Sequence, residues 1–267
     1  MPLPTFVIVG AQKSGTTTLH DWLGQVPGIW VSDPKEIHYF DRYQRRGLQW
    51  YAAQFEPATA DRAWGESTPM YLYRDRARAD MAEALPTAQF IAILREPVSR
   101  AYSQYWFARS KGVETAQTFA EAIDLESDRL RRHRDGQPAV GSYLDRGRYH
   151  RQLVDLADRV GRDRILVHLL EDLQGDPREA VRKTCEFIGV HHPSLDHLDL
   201  QRRNTFGART LNTARARERS DLSALDQPVG ESYPQIDQHL NQELRSRFSP
   251  DNERLAAWLG RDLSDWA

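Results

Sequence analysis

Phe6–Val7–Ile8–Val9 is a continuous apolar run rich in β-branched residues, and Gly10 closes it. A short run with no polar alternation predicts a strand buried on both faces of a parallel sheet. In the next stretch, Thr17 to Val26, the apolar residues are Leu19, Trp22, Leu23 and Val26. Their spacing of three, one and three predicts a helix with one apolar face. The chain therefore opens strand, loop, helix. Phe90–Ile91–Ala92–Ile93–Leu94 predicts a second buried strand ending at Arg95, and Pro97 then starts a helix through Tyr102, Tyr105 and Trp106. Ile165–Leu166–Val167–His168–Leu169 predicts a third strand after a helix over Tyr149 to Val160. Trp64–Gly65–Glu66 predicts a short strand, and Pro177 to Ile188 and Gln235 to Leu259 predict helices.

Strands alternating with helices imply an α/β fold with a central parallel sheet flanked by helices. Asp128 to Gly141 is highly charged and reads as a helix running into a loop. Asp199 to Gly230, rich in Arg, Asn and Thr, reads as an extended loop of the kind that closes over a ligand. No repeat or linker divides the 267 residues, so 1–267 is expected to form one domain.

Composition narrows the partners. The formal net charge of −2 argues against a general electrostatic grip on nucleic acid or an anionic membrane. The single cysteine, Cys185, allows no intramolecular disulfide and no Cys-rich metal site, and it lies in an amphipathic stretch that predicts a buried, inert thiol. No apolar run is long enough for a signal peptide or stable membrane insertion, so the expected location is cytoplasmic. Oligomeric state is not legible.

The strongest chemical signal is Gly10–Ala11–Gln12–Lys13–Ser14–Gly15–Thr16–Thr17–Thr18, between the first strand and the first helix. A turn at a helix N-terminus presents unpaired N–H groups and the positive end of the helix dipole to an anion. Gly15 permits close backbone approach, Ser14, Thr16 and Thr17 add hydroxyls, and Lys13 adds a charge. The order differs from the usual ATP-binding loop, whose Lys follows the last Gly. An ATP hydrolase also wants an Asp-ended strand for Mg²⁺, whereas the clearest second strand ends in Arg95. The pattern suits an anion that needs no metal. Arg95 stands at a strand's carboxyl end, where parallel sheets bind ligands, and Ser103 follows on the next helix. A third cluster is Pro34–Lys35–Glu36–Ile37–His38–Tyr39–Phe40–Asp41. If Glu36 to Phe40 is extended, Glu36, His38 and Phe40 share a face, and a carboxylate and an imidazole point together at a substrate.

These residues resemble a known family. Gln12–Lys13–Ser14–Gly15–Thr16–Thr17 resembles the 5′-phosphosulfate loop of sulfotransferases that use 3′-phosphoadenosine-5′-phosphosulfate (PAPS). Leu94–Arg95–Glu96–Pro97 with Arg100 and Ser103 resembles their 3′-phosphate motif. In order and spacing the chain is similar to the heparan sulfate N- and 3-O-sulfotransferase type, which implies a three-layer P-loop-like fold. The resemblance implies that Lys13, Ser14, Gly15, Thr16 and Thr17 hold the 5′ side of PAPS, and Arg95 and Ser103 its 3′-phosphate. It implies Glu36 as general base, from the similar Lys-Glu-x-His-Phe-Phe-Asp segment, and Lys13 as the cation at the leaving oxygen of adenosine 3′,5′-bisphosphate (PAP). His38 would orient Glu36 or touch the substrate.

Two departures stand out. Relatives carry Lys after the Glu of Glu66–Ser67–Thr68–Pro69–Met70–Tyr71, a segment lining the acceptor cleft, and this chain has Ser67. Relatives also place a Lys-Gly-Arg cluster where Val229 and Glu231 flank Gly230; the missing charge is expected from Arg202, Arg203 or Arg209, so Arg203 and Gly230 join the cofactor-binding candidates. Gly141–Ser142–Tyr143, with Gly147–Arg148–Tyr149, reads first as a turn and helix cap, and resembles a Gly-x-Tyr segment near the acceptor in relatives. Trp30 and Trp106 are expected near the cleft, and Arg129 to Arg134 is expected to be a solvated helix face. The acceptor could be a small molecule, lipid or carbohydrate bearing a hydroxyl or amine. A nucleotide kinase or NTPase on the same loop, and a non-catalytic PAPS-binding module, are the alternatives. No metal is expected.

Overall fold

The computed structural model describes residues 2–56, 62–132, 141–191, 195–201 and 234–267. Five strands form one parallel sheet: β1 (Phe6–Gly10), β2 (Ile29–Val31), β3 (Ala63–Ser67), β4 (Gln89–Leu94) and β5 (Ile165–Leu169). Their order is β2-β3-β1-β4-β5. The helices are α1 (Thr16–Leu23), α2 (Leu48–Ala53), α3 (Asp75–Ala84), α4 (Pro97–Ser110), α5 (Phe119–Asp124), α6 (Glu126–Arg132), α7 (Tyr149–Val160), α8 (Leu170–Gly175), α9 (Pro177–Phe187) and α10 (Gln238–Leu259).

The chain leaves β1 toward β2 on one side, then returns past it to β4 on the other. That reversal opens a crevice at the carboxyl ends of β1 and β4, where ligands bind in open parallel sheets. β1 and β4 are neighbours, with Phe6 opposite Gln89 and Val7 opposite Phe90. Each strand sorts its side chains by alternation. Val7, Val9, Phe90, Ala92 and Leu94 enter one core with α3 and α7. Phe6, Ile8, Ile91 and Ile93 enter the opposite core with α1 and α9, around the fully buried Trp22. This is the expected three-layer arrangement. Gly65 is required on β3, because a Cβ there would stand 2.3 Å from the Phe6 carbonyl oxygen.

Three sequence readings change. α2, α3, α5 and α8 were not expected; α3 is nearly all Ala, Arg and Asp, and buries Ala77, Arg78 and Met81, so its inner face carries little apolar signal. Arg129 is no solvated residue: it makes two hydrogen bonds, at 2.6 and 2.8 Å, to the buried Glu114 carboxylate. Trp30 meets the Phe55 ring edge-on at 6.1 Å and Trp106 packs in a third core beside Tyr102, Phe119 and Tyr143.

Candidate active site

The loop after β1 leads directly into α1. Gly15 takes φ +100° at the α1 N-cap, a left-handed conformation that disfavours any side chain. No side chain caps α1, and its first turn holds no acidic residue. Its orphan N–H groups are thus not engaged by a protein carboxylate. The Ser14 hydroxyl is buried and makes no well-aligned hydrogen bond. Lys13 lies over the Phe107 ring of α4, 4.7 Å from its centroid. An anion needing donors and positive charge fits this cradle.

The second motif is built differently. Glu96 caps α4, accepting from the N–H groups of Val98 at 2.8 Å and Ser99 at 2.7 Å. The α4 terminus is therefore already satisfied by a carboxylate. The sequence reading assigns an anion on this side to side chains, Arg95 at the end of β4 and Ser103 in the second turn of α4. Arg95 Nη1 donates to the Lys13 carbonyl at 3.4 Å, and the Tyr149 hydroxyl donates to the Arg95 carbonyl at 2.8 Å. The first of these bonds joins the two motifs. Arg100 does not join them: it is fully buried and bonds Gln104 Oε1 at 2.7 Å and the Tyr143 carbonyl.

Glu36 and His38 also come together, although not through an extended strand. His38 adopts φ 57°, and a π-helical turn, Tyr39–Tyr43, begins immediately after it. Phe40 turns into the core instead of sharing a face with Glu36. His38 Nε2 lies 3.2 Å from Glu36 Oε2, and its Nδ1 lies 3.0 Å from Asp41 Oδ1. Lys35 Nζ lies 3.3 Å from Glu36 Oε1. Burial alone would raise the Glu36 carboxyl, but the His38 hydrogen bond and the Lys35 charge outweigh it and hold it below the ordinary value. Burial would lower His38, yet its bonds to Asp41 and Glu36 lift it to about 9. The imidazole is therefore an imidazolium at neutral pH, clamped between two carboxylates.

This segment rests on β3. Glu66 is fully buried and does not line a cleft; its Oε1 accepts from Tyr51 and Tyr71 hydroxyls, each at 2.9 Å, and its Oε2 from Thr68 Oγ1 at 2.5 Å and Ile37 N at 3.4 Å. Ser67 N donates to the Lys35 carbonyl at 3.1 Å. A cavity of about 550 Å³ opens beside Glu36, and Thr17, His20, Asp21, Ser32 and Lys35 share its wall. The base candidate and the first turn of α1 thus face one space. His20 is buried there, and burial together with the Lys35 charge pushes it down to about 4. Trp30 and Trp106 do not line this cavity.

Sequence reasoning named Asp41 and Glu66 only as members of their segments, without the contacts seen here, and passed over Arg146. Asp41 was within reach, since it stands three positions after His38 in a tight turn. Arg203 and Gly230, with Arg202 and Arg209, lie outside the described residues. Among the described residues, no three His, Cys, Asp or Glu side chains converge as a metal site, and no helix is long and apolar enough to cross a membrane.

A model of the sulfotransferase domain matches residues 3–249. Heparan sulfate glucosamine 3-O-sulfotransferase 6 of Homo sapiens is 29% identical over 268 residues, 97% of this chain and 73% of that protein. Membrane-associated sulfotransferase kil1 of Dictyostelium discoideum is 37% identical over 134 residues, 47% of this chain but only 28% of that protein. The crystal structure of a sulfotransferase from Alicyclobacillus acidocaldarius shares the fold at a TM-score of 0.78 and 29% identity, covering 100% of this chain and 99% of that one. A match across most of the sequence, on a parallel sheet with an anion cradle at its reversal point, shows that the chain belongs to the sulfotransferase domain family.

Proposed function

We propose that this protein transfers a sulfuryl group from PAPS to a hydroxyl or amine acceptor and releases PAP. The observation that carries the reading is the meeting of the Lys13 loop and Arg95 on neighbouring strands, with Glu36 facing the first turn of α1 across a shared cavity. Lys13, Ser14, Gly15, Thr16 and Thr17 hold the 5′ phosphosulfate; Arg95 and Ser103 hold the 3′-phosphate. PAPS supplies an activated S–O bond.

Glu36 accepts the acceptor's proton as the new bond to sulfur forms, a contribution typically worth about 10²–10⁴ in rate. His38 and Asp41 hold the Glu36 carboxylate in place. Lys13 meets the charge that grows on the leaving oxygen, which favours the transition state over the ground state. The cation to do so is already beside the loop, parked on Phe107. A carbohydrate acceptor is one candidate class, as the name of the human relative suggests; small-molecule and lipid acceptors are the others.

The test is a panel of acceptors with sulfur-labelled PAPS, comparing wild type with Glu36→Gln. Labelled product from wild type, at least tenfold less from the variant, and equal PAP binding by both support the reading. PAP binding without transfer to any acceptor would favour a non-catalytic binding module instead.

A further inference from the structure

A buried positive charge stands behind the phosphosulfate loop with no carboxylate against it. Arg146 lies in the turn Asp145–Gly147 and is only 8% exposed. Its Nη1 donates to Gln12 Oε1 at 2.6 Å and approaches Met70 Sδ at 3.1 Å; its Nε donates to Ser142 Oγ at 2.7 Å. The guanidinium also stacks on the Tyr73 ring, 5.0 Å from the centroid. All four partners are neutral. Among the described residues no carboxylate reaches ion-pair distance. Glu126 acts on Arg146 only from farther away, and its two oxygens accept from the Leu144 and Asp145 N–H groups.

A second buried guanidinium adds to the imbalance. Burial, then repulsion from Arg100, pushes Arg146 down to about 10. Burying a cation without a counter-ion is costly, and such groups neutralise or find an anion. Folds retain such costs where function needs them. Among the described residues of the phosphosulfate loop, Arg146 bonds Gln12, the residue before Lys13. With Gln12 Oε1 committed to Arg146, the carboxamide keeps its NH₂ end as a donor. The same short stretch braces the other half of the site, through the bond from the Tyr149 hydroxyl to the Arg95 carbonyl.

We infer that Arg146 is a positioning residue for the nucleotide: it fixes Gln12 in the loop, and the 5′ anion of the bound nucleotide serves as its missing counter-ion. This rests on the reading of the loop as the 5′-phosphosulfate site. A charge in a low-dielectric wall acts over a longer range than one in water, so Arg146 need not touch the anion. It supplies part of the positive potential lost with the Lys-Gly-Arg cluster that the sequence lacks. The bound anion in turn offsets the cost of burying Arg146, so ligand binding and fold stability are linked.

The test compares PAP with adenosine 3′-phosphate, which lacks the 5′ group, by calorimetry on wild type, Arg146→Met and Arg146→Lys. PAP is expected to bind roughly tenfold more weakly to Arg146→Met, the scale of one charged hydrogen bond, while adenosine 3′-phosphate binds as it does to wild type. Arg146→Lys, which keeps the charge but loses the fork, falls between. Thermal melts should show a larger PAP-induced rise in wild type than in Arg146→Met. Equal weakening of both ligands would make Arg146 a purely structural residue and overturn the inference, as would unchanged PAP affinity. If Arg146→Met does not fold, the same comparison on Arg146→Lys decides: a loss confined to PAP supports the inference, and any other result overturns it. Wild type failing to bind PAP at all would remove the reading of the loop, and this inference with it.

Discussion

Arg95 and Lys13, 82 residues apart, are joined where the Arg95 guanidinium donates to the Lys13 carbonyl. The bond crosses from the end of β4 to the loop after β1. A guanidinium carries five donors in a fork geometry that suits an oxyanion, and this bond uses one of them. Arg95 is thus both a brace for the 5′ loop and a candidate ligand for the 3′-phosphate. The two roles predict different losses. Arg95→Ala should weaken PAP about 10- to 100-fold, on the scale of charged hydrogen bonds. It should weaken adenosine 5′-phosphate, which has no 3′ group, far less. Calorimetry on both ligands checks this, and equal losses would leave Arg95 with the bracing role alone.

The Glu36–His38–Asp41 chain sets a pH dependence. Glu36 lies below the ordinary carboxylate range, so it is ready to accept a proton throughout neutral pH. His38 is raised to about 9. A raised imidazole contributes stability that is complete below its unfolded value, about 6.5, and is lost as pH climbs through about 9. The profile of kcat/KM should therefore be flat across neutrality and fall on the alkaline side near pH 9. His38→Gln should lower turnover and abolish that alkaline limb. A wild-type limb that survives unchanged in His38→Gln would assign it to another group.

The parts of the fold legible in the sequence were those with an apolar pattern. β1, β4 and β5 are continuous apolar runs, and their parallel pairing follows from that composition. The loop and Arg95 were legible because glycine, hydroxyls and cations flank those strands. The geometry of Glu36 was not legible. An alternating pattern suggests an extended segment, but tertiary bonds donated by the Ile37 and His38 N–H groups to Glu66 and Thr68 impose a different backbone. Glu66 itself was expected at the acceptor cleft because its segment resembles one that lines the cleft in relatives. Its burial depends on two tyrosine hydroxyls, Tyr51 and Tyr71, that no local pattern links to it. Arg146 was hidden for the same reason: its partners Gln12 and Met70 are distant in sequence.

Glu66 ties the base segment to the sheet, and its titration offers a second check. Burial outweighs its four donors and raises the carboxyl to about 7. Between the ordinary glutamate value of about 4.3 and that point, the folded state holds a proton that the unfolded state has released. Stability should therefore decline as pH rises through this window. Glu66→Gln should remove that decline, seen as a flatter dependence of the urea midpoint on pH. Because Ile37 N loses a charged acceptor, turnover should drop several-fold with PAP affinity intact. A variant with wild-type turnover would confine Glu66 to a packing role.

The Glu114–Arg129–Tyr143 cluster gives the opposite sign. Burial tends to raise Glu114, but hydrogen bonds from Arg129, Tyr143 and the Ala116 N–H lower it to about 2. A depressed carboxyl contributes stability that is present above its unfolded value of about 4.3 and disappears as pH falls toward about 2. Arg129→Met strips the cation from a carboxylate whose side chain is 0% exposed. Breaking such a pair from one side costs about 3–5 kcal/mol, because the remaining charge has no counter-ion. Glu114 in that variant should move above its ordinary value, so on acidification from pH 7 to pH 5 the variant should gain more stability than wild type, whose change in that window comes from Glu66. Adding Glu114→Gln to Arg129→Met removes the stranded charge and should recover part of the loss. Urea midpoints for the four proteins at both pH values complete a double-mutant cycle, and additivity of the two substitutions would show that the buried pair does not couple.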